Sequence, residues 1–301
     1  MKFSGVIPIL VTPFSEDESV DTHSIRTMIQ LMQDIGVQGI TILGVLGEAN
    51  RLSDHERELI ISSAIEAAGR LPVIVGTSAS GTRAVINNND IAKKLGASAV
   101  MVTPQAETVP SDKKVFTHFQ TILKETDLPV VLQDHPASTG VHMANELIFK
   151  MLDELRGFCG VKLEAVPTAP KLNALKTRYG EKISVMTGLG ALYGAFDLEA
   201  GSNGFNTGFA FPEVLIALTD MARKNDWDTL QEIYQRFLPL IVYEQHPGVA
   251  IRKELLKMRG AIRSSRVRSP GAQGTETIQK TLRMLIKHAV PNQDLTKPIK
   301  I

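Results

Sequence analysis

The chain of 301 residues has a single cysteine, Cys159, so no intramolecular disulfide framework can hold it together. It also lacks a charge excess. With 33 basic against 32 acidic residues the formal net charge is +1, and no global field draws it toward nucleic acid or a membrane surface. No apolar stretch approaches the roughly 20 residues needed to cross a bilayer. The N-terminal segment MKFSGVIPILVTPF has its apolar run broken by Pro8 and Pro13, unlike a secretory signal. These absences lead to the expectation of a cytoplasmic protein with neither nucleic-acid nor membrane partners. His23, His55, His118 and His288 fall in helical patterns, and no histidine pair has metal-ligand spacing at a strand end, which argues against a metal-dependent hydrolase.

What the chain does have is apolar material, 43% hydrophobic residues with 22% charged, enough for a large core. Short runs rich in Val and Ile recur from Gly5 to Val11, Gly39 to Leu43, Pro72 to Val75, Ala99 to Val102, Pro129 to Leu132, Cys159 to Lys162, Ile183 to Met186 and Gly204 to Thr207. Their continuous apolar character indicates strands buried on both faces. Amphipathic segments between them (Thr22 to Ile35, Asp54 to Ala68, Thr82 to Leu95, Asp112 to Thr126) indicate helical crossovers between parallel strands. Repeated β-then-α units of this kind predict a (β/α)8 TIM barrel, with an open doubly wound sheet as the alternative. After Phe211-Pro212 the strand signal stops. Helical patterns at Glu213 to Lys224, Asp226 to Tyr243, Val249 to Met258 and Thr275 to Lys287 predict the closing barrel helix and a small C-terminal helical domain. The expected division is a catalytic barrel over 1–225 and a helical domain over 226–301. The loop Arg263 to Gly274, with three arginines, reads as a solvated surface segment.

In such a barrel the site forms at the C-terminal ends of the strands. Lys162 closes the apolar run FCGVK, where a lysine reaches solvent, pairs with Glu164, or is enclosed. Enclosure favours a neutral amine, and a neutral amine attacks a carbonyl to form a Schiff base. The run Gly44 to Glu48 (GVLGE) has glycines at i and i+3, which let backbone approach a ligand, so it reads either as a carboxylate cradle or as a plain strand-to-helix turn. Cys159 lies three residues before Lys162, and alternation directs it away from the barrel interior toward the helices.

Taken in order, GVIPILVTPF, GVLGE, LSDHERELI, LGASAVMVTP and GVK resemble the dihydrodipicolinate synthase and N-acetylneuraminate lyase family, from about residue 3 to residue 260. The resemblance implies a TIM barrel with a C-terminal helical domain, assembled as a homotetramer or homodimer and using no metal or organic cofactor. It also implies a strand-six lysine, here Lys162, that forms a Schiff base with pyruvate or another 2-oxo acid. By the same match Gly44, Val45, Leu46 and Gly47 hold the substrate carboxylate, and Glu48 braces the turn.

The departures from that family pattern are as informative. The loop's middle positions usually carry hydroxyl residues and here are Val45 and Leu46; the fourth-strand tyrosine position falls at Gln105 or Ala106; the fifth-strand tyrosine falls at Gln133; and an arginine for the second substrate falls at Ser138. Glutamine does not exchange a proton at neutral pH, so another group must take the tyrosine's place. The expected catalytic set is therefore Lys162 with His135, whose imidazole both gives and takes protons near pH 7, and Asp134 as the other candidate. Gln133, Ser138, Gly188, Asn206 and Thr207 complete the expected substrate-binding set. With Thr187, these neutral polar groups fit a polyol-bearing 2-oxo acid. The expected function is a class I lyase, either a pyruvate-releasing aldolase or a 2-oxo-3-deoxy sugar acid dehydratase. The alternatives are a synthase-like condensation of pyruvate with an aldehyde, or a 2-oxo-acid-binding protein that has lost turnover.

Overall fold

A computed structural model describes residues 4–246 and 248–301; the first three residues of the N-terminal segment lie outside the described residues. Eight parallel strands run in the spatial order β1-β8-β7-β6-β5-β4-β3-β2: β1 Gly5–Val6, β2 Ile40–Ile42, β3 Val73–Gly76, β4 Ala99–Val102, β5 Val130–Asp134, β6 Phe158–Leu163, β7 Ser184–Thr187 and β8 Gly204–Phe205. β1 pairs with β8 at Gly5 and Val6, and Ile7 N–H and Ile9 N–H go on to donate to Phe205 O (2.8 Å) and Thr207 O (3.0 Å). Closure comes just beyond. Ile9 bridges Thr41 in parallel, Leu10 N–H donates to Thr41 O (2.8 Å) and Thr41 N–H to Pro8 O (2.8 Å), which makes the sheet a (β/α)8 TIM barrel.

The crossovers are α1 Thr22–Ile35, α2 Asp54–Ala68, α3 Thr82–Leu95, α4 Asp112–Glu125, the short α5 Pro136–Thr139, α6 Asn145–Glu154, α7 Thr168–Tyr179 and α8 Gly194–Glu199. Their starts are written locally. Asp21 caps α1 by accepting from Ser24 N–H, and Ser53 with Glu56 forms a reciprocal capping box at α2. One apolar layer lies between strands and helices, including Met28, Ile61, Val85, Phe119 and Ile148. A second fills the barrel itself with Ile7, Ile9, Ile74, Ala99, Met101, Val131 and Met186. Each Val, Ile or Met among them, fully buried, stabilises by about 1.5–3 kcal/mol.

Cys159 corrects the expectation from alternation, since it packs against the interior layer. The register slips between β5 and β6, with Val130 facing Phe158 but Val131 facing Gly160, and this irregularity reverses the parity on which the expectation rested. Burial pushes the Cys159 thiol up to about 12.

Beyond the strands come α9 Pro212–Arg223, α10 Trp227–Tyr243, α11 Gly248–Met258 and α12 Glu276–Ala289. α9, α10 and α12 share a core around Phe211, Leu218, Leu230, Phe237 and Leu282. The arginine-bearing loop is not simply solvated. Arg263 pairs with Asp21 (2.6 Å), Arg266 with Glu18 (3.1 Å) and Arg268 with Glu56 (2.6 Å), which ties the segment after α11 onto the barrel around α1 and α2.

Burial opposes ionisation of Asp21, yet hydrogen bonds from Arg263 and Ser24 bring its pKa down from 3.8 to about 2. A depressed carboxyl pKa contributes stability that is present above pH 3.8 and lost as pH falls toward 2. Arg263 is largely in solvent, so most of the effect belongs to the cap. Asp21→Ala, which removes the cap, is expected to cost about 1–2 kcal/mol at pH 7, with the gap from the native chain narrowing below pH 3.8. Urea unfolding across pH checks this, and a gap independent of pH contradicts it.

Candidate functional site

The site is set by the register of two neighbouring strands. β5 and β6 pair with Gln133 opposite Lys162 and Asp134 opposite Leu163. Alternation aims Lys162 and Glu164, two residues apart, to the same side at the barrel mouth, while Leu163 enters the layer beneath the helices. Lys162 and Glu164 are both buried, and Lys162 Nζ lies 3.2 Å from Glu164 Oε2. Gln133 Nε2 donates to the same oxygen (2.7 Å), and Leu189 N–H donates to Oε1 (3.1 Å). Glu164 fits because residue 188 is glycine. A Cβ there would stand 2.3 to 2.5 Å from the Glu164 side chain.

Burial alone would raise the Glu164 pKa, but Lys162, His135 and the hydrogen bonds from Gln133 and Leu189 outweigh it and hold the carboxyl below the usual range. His135 Nδ1 lies 3.8 Å from Glu164 Oε2 and 2.7 Å from Ser138 Oγ. Burial lowers the imidazole pKa, with Glu164 acting in the opposite direction. Glu164 thus sits between the amine and the imidazole. The sequence reading treated it only as a pairing partner for Lys162; its i, i+2 spacing from the lysine was the available signal.

Asp134 is a correction. Its side chain points to the opposite side of β5, is fully buried, and receives Lys171 Nζ from α7 at 2.5 Å. Burial raises its pKa and Lys171 opposes the rise. It braces β5 against α7 and is not placed to exchange protons at Lys162.

The expected substrate-binding residues divide in the same way. Gln133 and Gly188 meet at Glu164, and exposed Ser138 contacts His135. Asn206 lines a small internal void with Lys162, Ile74 and Met186, while its Nδ2 donates to Ile7 O and Thr41 Oγ1 (2.9 Å each) across the barrel closure. Thr207 Oγ1 accepts from Gly190 N–H at 2.7 Å and braces the turn after β7. Gly44 to Gly47 form a tight turn pinned by Thr12 Oγ1 donating to Gly47 O (2.7 Å). Val45 is exposed, whereas Leu46 packs onto the interior layer beside Gly208, where a Cβ would come within 2.0 Å of Leu46 Cδ1. The loop therefore presents an apolar side chain over the barrel mouth. Behind it, buried Glu48 receives Lys253 Nζ from α11 (2.5 Å), Arg51 (2.8 Å) and Arg268 N–H (3.0 Å).

Residues 2–289 match the Dihydrodipicolinate synthetase family. The chain belongs to this family. Among curated relatives, L-2-keto-3-deoxyarabonate dehydratase of Azospirillum brasilense is 30% identical over 273 residues, 88% of each chain. Among solved structures, the dihydrodipicolinate synthase of Rhodopseudomonas palustris superposes with a TM-score of 0.90 at 31% identity, covering 95% of this chain and 97% of that one. YagE, a prophage protein of E. coli assigned to the dihydrodipicolinic acid synthase family and solved with pyruvate, gives 0.87 at 26% identity, covering 95% and 98%. Membership in the dihydrodipicolinate synthetase family accords with the eight-stranded barrel and with a lysine at the end of strand six.

Asp134→Asn is expected to destabilise the fold by about 3 kcal/mol, as removing one partner of a buried ion pair does. Chemical denaturation measures this, and a variant as stable as the native chain contradicts a bracing role.

Proposed function

We propose that this chain is a class I lyase whose Lys162 forms a Schiff base with a 2-oxo acid, and that its reaction is the dehydration of a 2-oxo-3-deoxy sugar acid. Lys162 carries the reading: an amine buried at the mouth of a barrel, on the strand end where this fold does its chemistry, beside an ionised carboxylate. Its Nζ attacks the C2 carbonyl and water leaves. The resulting iminium withdraws electrons from C3, so the C3–H bond becomes acidic and the C4 hydroxyl is expelled from the enamine. Pyruvate-releasing aldol cleavage uses the same iminium and is the second reading.

Dehydration is favoured over condensation with an aldehyde because Gln133 stands beside Lys162 where the synthases carry a tyrosine, and because one relative is named a 2-keto-3-deoxyarabonate dehydratase. In this reading residues 1–225 form the catalytic unit and 226–301 the helical one. Gly44 to Gly47 receive the substrate carboxylate through backbone N–H groups, and Asn206, Thr207 and Ser138 border the hydroxylated tail. Assembly as a homotetramer or homodimer and a cytoplasmic location belong to the same proposal; among the described residues no helix is long and apolar enough to cross a membrane.

Incubation with pyruvate and borohydride, read by intact mass, is expected to give one covalent adduct that Lys162→Ala abolishes. An adduct surviving in that variant, or none in the native chain with any 2-oxo acid, overturns the mechanism. Turnover across a panel of 2-oxo-3-deoxy sugar acids is the matching expectation; an adduct without turnover of any of them would indicate a binding protein instead.

A further inference from the structure

We propose that Glu164 is the catalytic carboxylate that moves the substrate's C3 proton, in place of the tyrosine whose position Gln133 occupies. The assignment rests on the Schiff-base reading of Lys162 and adds to it the group that makes turnover possible.

Reach is the first ground. A carboxylate oxygen 3.2 Å from Lys162 Nζ neighbours the atom that becomes the imine nitrogen, and C3 lies only two bonds from that nitrogen. Preorganisation is the second. Gln133 Nε2 fixes Oε2, Leu189 N–H fixes Oε1, and Gly188 leaves the space the carboxylate fills. Elimination is the third: Asp134 faces Lys171, Asp197 is taken up by Thr168 and Thr187, and among the described residues Glu164 is the carboxylate that pairs with Lys162. His135, 3.8 Å beyond Glu164 and linked to exposed Ser138, is the onward path to solvent. The histidine expected to act at the imine therefore acts through the glutamate.

The proton ledger closes with this single group. The starting state is the Lys162–Glu164 ion pair, which holds one exchangeable proton. The proton passes to Glu164, the free amine adds to C2, and protonated Glu164 returns the proton to the carbinolamine hydroxyl, which leaves as water. Glu164, again a carboxylate beside the iminium, takes the C3 proton, and the C3–H electron pair forms the enamine C2=C3 bond. Glu164 then gives that proton to the C4 hydroxyl, the C4–O bond breaks, and a second water departs. Hydrolysis of the unsaturated iminium frees Lys162.

Exchange of the pyruvate methyl protons with D2O, followed by NMR, isolates the C3 step, while borohydride trapping reports the imine alone. Glu164→Gln is expected still to give the trapped adduct, formed more slowly because imine formation also draws on Glu164, and to slow exchange by about 10²-fold or more, as loss of a general base does. His135→Asn is expected to slow exchange less. Exchange in Glu164→Gln close to the native rate overturns the assignment, as does a larger loss in His135→Asn. If Glu164→Gln traps no adduct, Glu164→Asp decides. Adduct and exchange regained together support the proposal, whereas adduct without exchange, or neither, overturns it. Failure of the native chain to trap any adduct is a separate result and removes the Schiff-base reading beneath.

Discussion

Lys162 near the end of β6 and Glu164 just past it stand two residues apart on extended chain, so both face the same side, the barrel mouth. Burying Lys162 and Glu164 costs desolvation free energy that their attraction offsets only if the remaining hydrogen-bonding positions are filled. The surrounding sequence meets that condition. Gln133 arrives by β5–β6 register, Leu189 offers its N–H from the turn after β7, and Gly188 gives up a side chain so that the carboxylate fits. Glutamine at 133 is then a positive choice. A group that holds a carboxylate need not titrate itself, and an amide holds it at every pH.

The same logic operates one layer further out. Glu48, at the end of the glycine-bearing turn, is pinned by Lys253 from α11 and by the backbone of Arg268, so the C-terminal segment holds that turn in place. Arg259 at the end of α11 grips Glu213 at the start of α9 through two hydrogen bonds, of 3.1 and 2.6 Å, at a fully buried position. The helices beyond the barrel thus fix the geometry of its mouth without supplying the reacting groups. Leu46, seated on the interior layer, makes one wall of that mouth apolar.

Much of this was legible in the residues. Continuous Val and Ile runs alternating with amphipathic segments gave the barrel, and the run FCGVK placed Lys162 near the end of its sixth strand. Three features escaped, each for a physical reason. Cys159 faces inward because a register irregularity at Val130 and Val131 inverts strand parity, and parity is silent about irregularities. Asp134 looked like an acid beside a histidine, but its partner Lys171 is 37 residues away on α7, and only tertiary contact turns it from the site. The arginines of the 263–268 stretch read as solvated because their carboxylates lie more than 200 residues earlier in the chain. Glu164 was visible as a neighbour of Lys162, but its importance rests on Gln133, Leu189 and Gly188 converging on it from two other strands.

The central claim is that one buried amine near the end of β6 and one buried carboxylate just past it form the reacting pair. Its most direct test is a crystal structure of the chain reduced with borohydride in the presence of a 2-oxo acid. The expected result is continuous density from Lys162 Nζ to C2 of the ligand, with a Glu164 oxygen within about 3–3.5 Å of C3, as a near-attack geometry requires. Density joined to another side chain, or Glu164 turned away from C3 with His135 in its place, would contradict the account.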